Sequence, residues 1–523
     1  MNLHFLIYCS QDRPPRINAI SVELLSLIFH FAKGDSGHED DPVRVYNQNL
    51  FVSRLSAVCG HWRQTAIGDA TLWRNISFSP SILSTVDCAA EFLRRSQRTS
   101  LTLMIWNPDS SDAPGVVENS VVTNMIDQLG QSVDRITDLV AINPPEAVVG
   151  MLTQPATRLV RLDIQSANTA VLPSLFGGVM PKLEHLSISN PIGWKIQLFQ
   201  NLSTLHLSAS PLIRWRFGGF LDCIASVSIK ELHLTHFERF KPETIAESRR
   251  AVSLPSLHIL RLMFCDSALI LNHLDIPPDT ALSIYGHYGH SEDILTCLPE
   301  SPRFLRALKT AQFLTVVFDV ERQIFEVDIL GEGINLLLGA VSRQEDFDRK
   351  WVLRSMAAVT RFTPIAGINW LTVAVDECRM PWKVWLSKFD LISTLEVRCP
   401  DLAEILGVLA APKGNAKPIL CPALRSLSVE RSKRPTASLS LLRECLETRA
   451  SAGSAISNLN LDSLDWTVIP YTELEAWEEL VNRTSLGGRW IPLLLVDPPF
   501  FSTIIIAVTT GSFTQREDLL LGL

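Results

Sequence analysis

The chain has 523 residues, 46% of them hydrophobic and 20% charged, with a formal charge of -8 and a pI near 5.9. This composition excludes bulk disorder, and the length suits about three ordinary domains. The acidic balance argues against a dedicated nucleic-acid surface or an anionic-membrane face, since either needs a basic patch. Ten cysteines run from Cys9 to Cys445 without a C-x-x-C pair. That is the usage of free thiols in a reducing, intracellular compartment, cytoplasm or nucleus, rather than of a disulfide framework or a zinc module.

In chain order, residues 1–16 read as a tail. The opening M-N-L-H-F-L-I-Y-C-S is apolar, but it lacks a basic start and soon meets Q-D-R, unlike a signal peptide. Residues 17–80 carry three short helical patterns, at Val22 to Phe31, Asn47 to Ala57 and Gly60 to Ile67, closed by D-A-T-L-W. In the first, Val22, Leu25, Ile28 and Phe29 recur at helical spacing, and Leu24, Leu27 and Phe31 widen the stripe. A helix this apolar has to bury more than one face, in its own core or against another protein. Ser21 is placed to cap it. The run K-G-D-S-G-H-E-D-D-P between the first two helices is an exposed loop.

Two clusters in this segment carry a resemblance: Glu23, Leu24, Leu25, Ile28 and Phe29, then Val58, Cys59, Trp62, Arg63, Leu72 and Trp73. The segment resembles an F-box, in the version common in mushroom-forming fungi. It departs from the family at Ile20-Ser21, where Leu-Pro is usual, at Val22, which replaces a second proline, and in a longer loop from Lys33 to Asn49. The resemblance implies docking on a Skp-type adaptor and, through it, a cullin. Expected adaptor contacts are Ile20, Leu24, Leu25, Ile28, Phe29, Val58, Cys59 and Trp62. The competing role for each is to fill the segment's own core, with Trp62 and Trp73 foremost.

Residues 81–482 begin with an amphipathic helix from Thr85 to Arg98, capped by Ser84 or Thr85, and a strand at Leu101 to Trp106. An aliphatic-x-x-Leu-x-aliphatic motif then starts at Leu159, Leu183, Leu202, Ile229, Leu257, Ile368, Ile392, Leu424 and Ile456. The spacings are 24, 19, 27, 28, 111, 24, 32 and 32 residues, mostly within or near the leucine-rich-repeat range. Only Cys265 stands where such a repeat places a turn-bonding Asn or Cys. Within the long gap, Ala281 to Tyr285, Phe313 to Phe318 and Ile324 to Ile329 read as strands, the last two as a hairpin, and G-E-G-I-N-L-L-L-G at Gly331 as a turn into a helix. Leu439 to Ala450 and the acidic Thr472 to Asn482 read as helices, the latter a cap. The pattern is expected to stop at Arg483, leaving 483–523 as a tail whose Trp490 to Thr510 is apolar but broken by Asp497, Pro498 and Pro499.

Catalytic, cofactor and metal motifs are not found: G-x-S-x-G, a P-loop, H-E-x-x-H and an EF-hand loop are missing from the sequence. His287 with His290, and His233 with His236, have metal-compatible spacing but lack local partners. Asn482 in N-R-T matches a glycosylation acceptor that has no use in an intracellular protein.

The expected fold is α/β, an N-terminal three-helix F-box followed by an irregular leucine-rich-repeat-like α/β solenoid. The expected function is that of a non-enzymatic substrate receptor of an SCF-type ubiquitin ligase, binding an unidentified protein target, with no cofactor, no nucleic acid and no membrane. A repeat scaffold acting outside a ubiquitin ligase is the alternative.

Overall fold

The computed structural model describes residues 20–34, 42–108, 120–145, 153–165, 176–189, 201–209, 217–225, 227–237, 240, 251–287, 298, 310–319, 324–332, 334–341, 349–361, 367–375, 382–399, 402–410, 419–430, 435–462, 477, 480–481, 483–486 and 489–490. They form a mixed α/β architecture on one large, mainly parallel sheet.

Three helices come first, α1 (Val22–Lys33), α2 (Pro42–Leu55) and α3 (Gly60–Gly68), followed by a 3-10 turn at Ala70–Trp73. Ser21 caps α1 as expected, its hydroxyl accepting the Leu24 amide at 3.3 Å. At the other end Gly34 takes φ 77°, a left-handed turn that suits glycine. α2 starts at Pro42 rather than near Asn47. Proline's fixed φ and missing N–H fit the first turn, so it extends the helix into what read as loop.

The strands are β1 (Asn75–Phe78), β2 (Leu101–Trp106), β3 (Ile136–Ile142), β4 (Arg161–Gln165), β5 (His185–Ser189), β6 (Thr204–Ser208), β7 (Glu231–Thr235), β8 (Val252–Ser253), β9 (Ile259–Met263), β10 (Leu274–Asp275) and β11 (Ala281–His287). They continue as β12 (Ala311–Asp319), β13 (Ile324–Gly331), β14 (Ile334–Val341), β15 (Trp370–Val375), β16 (Thr394–Arg398), β17 (Ser426–Glu430), β18 (Asn458–Asp462), β19 (Arg483–Leu486) and β20 (Arg489–Trp490). From β1 to β7, then β9 and β11, each strand lies parallel beside the next. β8 and β10 pair separately. All nine sequence motifs fall on strands of this kind.

The long gap between the fifth and sixth motifs holds a reversal. β14 lies parallel to β11, β13 and β12 follow antiparallel, and β12 then lies parallel to β15. The β12–β13 hairpin is the one expected from the sequence. β14 corrects the expectation of a turn into a helix. Its Ile334, Leu336, Leu338 and Ala340 alternate inward with period two, and both flanks are occupied by strands. Gly339 is needed there, because a Cβ would come within 2.3 Å of the Tyr285 ring.

From β15 to β19 the parallel order resumes, and β20 turns back on β19. The expectation that the pattern stops at Arg483 is therefore also corrected, since β19 adds one more parallel strand. Of the acidic helix expected over 472–482, Trp477 and Leu480 are helical and most of the rest lies outside the described residues. Residues 1–16, 288–290 and 491–523, with the expectations that fall on them, lie outside too. Among the described residues no helix is long and apolar enough to cross a membrane.

Period-two alternation builds the core. Leu162, Leu186, Leu205, Leu232, Leu260 and Leu282 stand in one cross-strand row on the inner face. Helices cover that face, among them α4 (Leu83–Arg95), α5 (Ser120–Gly130) and the helix Pro435–Ser451. α4 starts at Leu83, not Thr85, and has no side-chain cap. Thr85 instead accepts the Ser79 amide at 2.9 Å and donates to the Ile82 carbonyl at 2.7 Å, so its hydroxyl fastens the loop before the helix. Buried apolar side chains from Leu25 to Val481 form one contiguous cluster.

Candidate docking surfaces

α1 carries two apolar stripes, and packing sorts them. Leu25 and Phe29 are 1% and 0% exposed and point into the cluster, where Phe29 meets the Trp62 ring at 5.0 Å. Leu24, Leu27, Ile28 and Phe31 point outward, with Leu27 64% and Phe31 89% exposed. Their spacing of i, i+3, i+4, i+7 makes a continuous ridge, the pattern of a helix face that packs on something. Val22 and Val58 are exposed at its margins.

Of the residues expected to touch an adaptor, Leu24, Ile28 and Val58 are thus on the surface. Leu25 and Phe29 are inside, and Ile20 and Trp62 pack half-buried against the core. Cys59 is half-buried at the start of α3 and makes no side-chain cap bond. Leu27 and Phe31, which lead the ridge, were not among the expected contacts, although their helical spacing from Leu24 was readable.

The ridge sits on a fastened base. The Arg63 guanidinium donates to the Ser56 carbonyl at 3.1 Å, and the Arg63 amide donates to the Cys59 carbonyl at 2.9 Å, so both ends of the turn carrying Val58 are held. Asp69 joins the polar side of α1 to the turn after α3. Its carboxylate accepts from Ser26, from the Thr71 amide at 3.0 Å and from His30 Nε2 at 3.0 Å. Burial pushes the Asp69 carboxyl up, but these hydrogen bonds together outweigh it and hold the group below its ordinary range. Trp73 is fully buried, donates to the Ala66 carbonyl at 2.6 Å, and carries the Arg95 guanidinium over its ring at 4.3 Å.

The sheet's open face is of the opposite character. Where leucine fills the inner positions, the alternate residues outside are polar. One row runs Asp163, Ser187, His206, His233, Arg261 and Ser283 across β4 to β11. On the later strands the corresponding row is Thr372, Glu396, Ser428 and Asn460. These bond laterally, Thr372 donating to Glu396 at 3.0 Å and Asn460 to Ser428 at 3.2 Å. Beside them Phe313 and Trp370 expose their rings side by side, centroids 5.7 Å apart. At the first edge, Val45 of α2 packs on Met104 and Val140, which lie in that same outer register, so the N-terminal helices adjoin the open face.

The Cys265 thiol donates to the Leu234 carbonyl of the neighbouring strand β7 at 3.3 Å and to the Met263 carbonyl at 3.2 Å. The histidine pairs suggested by local spacing are not the ones the fold makes. His233 lies opposite His206 on the next strand, rings stacked with centroids 3.9 Å apart, and Glu231 precedes it on the same face. His236, at φ 62°, stacks on Phe264 instead. His233 is pushed down to about 3, first by burial and then by the neighbouring His206 and Arg261, so it is neutral at physiological pH.

No protein-family model and no curated protein matches this chain.

Proposed function

We propose that the protein is the substrate-recognition (F-box) subunit of an SCF-type ubiquitin ligase. The α1 ridge and the turn bearing Val58 dock the Skp-type adaptor, and the open sheet face of an irregular leucine-rich-repeat-like solenoid holds the target protein. The observation that carries this reading is the outward row Leu24, Leu27, Ile28 and Phe31 beside Val58, on a three-helix unit whose residues resemble the F-box pattern. Support for the repeat reading comes from the parallel strands in chain order and the leucine rows.

The energetics suit a docking surface. Each aliphatic or aromatic side chain of the ridge gains roughly 1.5–3 kcal/mol when fully covered. Five of them give a sum of the same order as the cost of association, so the contact needs further partners around it. A cullin and the ubiquitin-charged enzyme then arrive through the adaptor, and catalysis belongs to those subunits. The receptor acts by proximity, raising the effective concentration of a target lysine near the loaded enzyme.

The test is calorimetric titration of the full chain with purified Skp-type adaptor. The double variant Leu27→Asp/Phe31→Asp is expected to keep the wild-type melting curve and to lose the adaptor. Absence of binding by the wild type would favour the alternative of a repeat scaffold outside a ubiquitin ligase. Binding unchanged by the double variant would remove the ridge from the interface.

A further inference from the structure

We propose that His206, His233 and Glu231 form a binding site for a divalent transition-metal ion of the Zn2+ class on the open face of the sheet. Two imidazoles and a carboxylate are donors suited to such an ion. The fold brings them together across a strand boundary: His206 and His233 are directly opposed on β6 and β7, and Glu231 lies two residues before His233, hence on the same face. One ligand atom from each falls within 4.8 Å of the others, and the rings are already stacked with centroids 3.9 Å apart.

Metal–nitrogen bonds of roughly 2.0–2.1 Å in a tetrahedron place ligand atoms about 3.3 Å apart, so the ligand atoms have to close by about 1–1.5 Å and the two rings, now 15° from parallel, have to turn toward a common point. Glu231 can supply much of that movement. Its carboxylate is 41% exposed and stands 4.0 Å from His233 Nε2, whereas the His233 ring is held at 17% exposure. His233 Nε2 is buried and makes no hydrogen bond among the described residues, so a ligand there displaces none.

Arg261, opposite His233 on β9, opposes a cation. It keeps the affinity moderate and gives the site a signature of its own. The open side of the sheet leaves the remaining coordination to water or to a side chain of a docked protein.

The experiment is titration of the chelator-treated full chain, thiols kept reduced, with Zn2+ by calorimetry and with Co2+ by absorption spectroscopy. One equivalent of each should bind, and the Co2+ spectrum should lack thiolate charge transfer. His206→Asn/His233→Asn should lower affinity at least tenfold, roughly the minimum for disturbing a metal's ligand sphere. Glu231→Gln should weaken binding and Arg261→Gln should tighten it, each by roughly severalfold. Both of these side chains lie on the outer face, so opposite shifts at unchanged melting temperature would separate coordination from a folding defect. Lack of binding by the wild type, a thiolate spectrum, or equal affinity in the double-histidine and Arg261→Gln variants would overturn the proposal.

Discussion

The N-terminal helices and the sheet handle apolar residues in opposite ways. Along β5, β6 and β7 each aliphatic side chain turns inward and its neighbours present hydroxyls, imidazoles and carboxylates outside. α1 sends Leu25 and Phe29 inward and Leu24, Leu27, Ile28 and Phe31 outward. Period two lets a strand separate its two environments residue by residue, and these three strands use that fully. A helix carrying apolar residues around more than half its circumference cannot hide them all on one core. The difference teaches that the two surfaces serve different ends: the ridge offers driving force, and the open face offers directional contacts.

The sharpest way to break this comparison is to change the two faces of α1 separately. Phe29→Ala should destabilise the N-terminal helices by about 3–5 kcal/mol, read as a lowered denaturation midpoint in Trp fluorescence. Leu27→Asp/Phe31→Asp should leave that midpoint within about 0.5 kcal/mol, since the side chains are exposed. The same double variant should cost adaptor binding on the order of 100-fold in calorimetry, the scale of a lost interface hot spot. If instead the ridge variant unfolds the protein, the outward face is packing and not docking.

A smaller effect probes the sheet. Gly339→Val places branched carbons against the Tyr285 ring, where even a Cβ comes within 2.3 Å. Tyr285 is tied by its hydroxyl to Glu326 at 3.0 Å, so the ring cannot swing aside without losing that bond. The expected cost is about 1–3 kcal/mol by chemical denaturation, with no change in adaptor affinity.

The smallest concerns Asp69. Its carboxyl is held below the ordinary range in the folded chain. Its ionised form therefore contributes stability that is complete above the pKa of an unfolded aspartate and lost as pH falls through the lower folded value. An acid titration followed by Trp73 and Trp62 fluorescence should show this loss, and Asp69→Asn should flatten that part of the curve while leaving the sheet's melting unchanged.

Much of the body was legible because its signal is local. Each aliphatic-x-x-Leu-x-aliphatic motif contains a strand's own alternation, and Ser21 lies directly before the helix it caps. β14 was not legible, since an apolar run such as I-N-L-L-L fits a helix or a strand equally until its neighbours are known. The short helices Phe217–Ala225 and Leu402–Leu409 were missed for a related reason, as each is brief and broken by glycine. Thr85 misled because a hydroxyl before a helix looks like a cap whether it bonds forward or back. The ridge was half visible: its residues were marked as apolar, but the sequence could not say which of α1's stripes faced the core.

By itself, then, the sequence determined the nine motif strands and the β12–β13 hairpin, the capped first helix, the absence of any recognisable catalytic motif and the apolar excess of α1, because all of these are encoded within a dozen neighbouring residues. Only the tertiary structure decided which α1 residues remain outside, that β14, β13 and β12 are inserted in reverse order, and that His206 meets His233 rather than His236. Those outcomes depend on strand register and on which surfaces are already covered. Residues far apart in the chain become partners there for reasons that no local pattern contains.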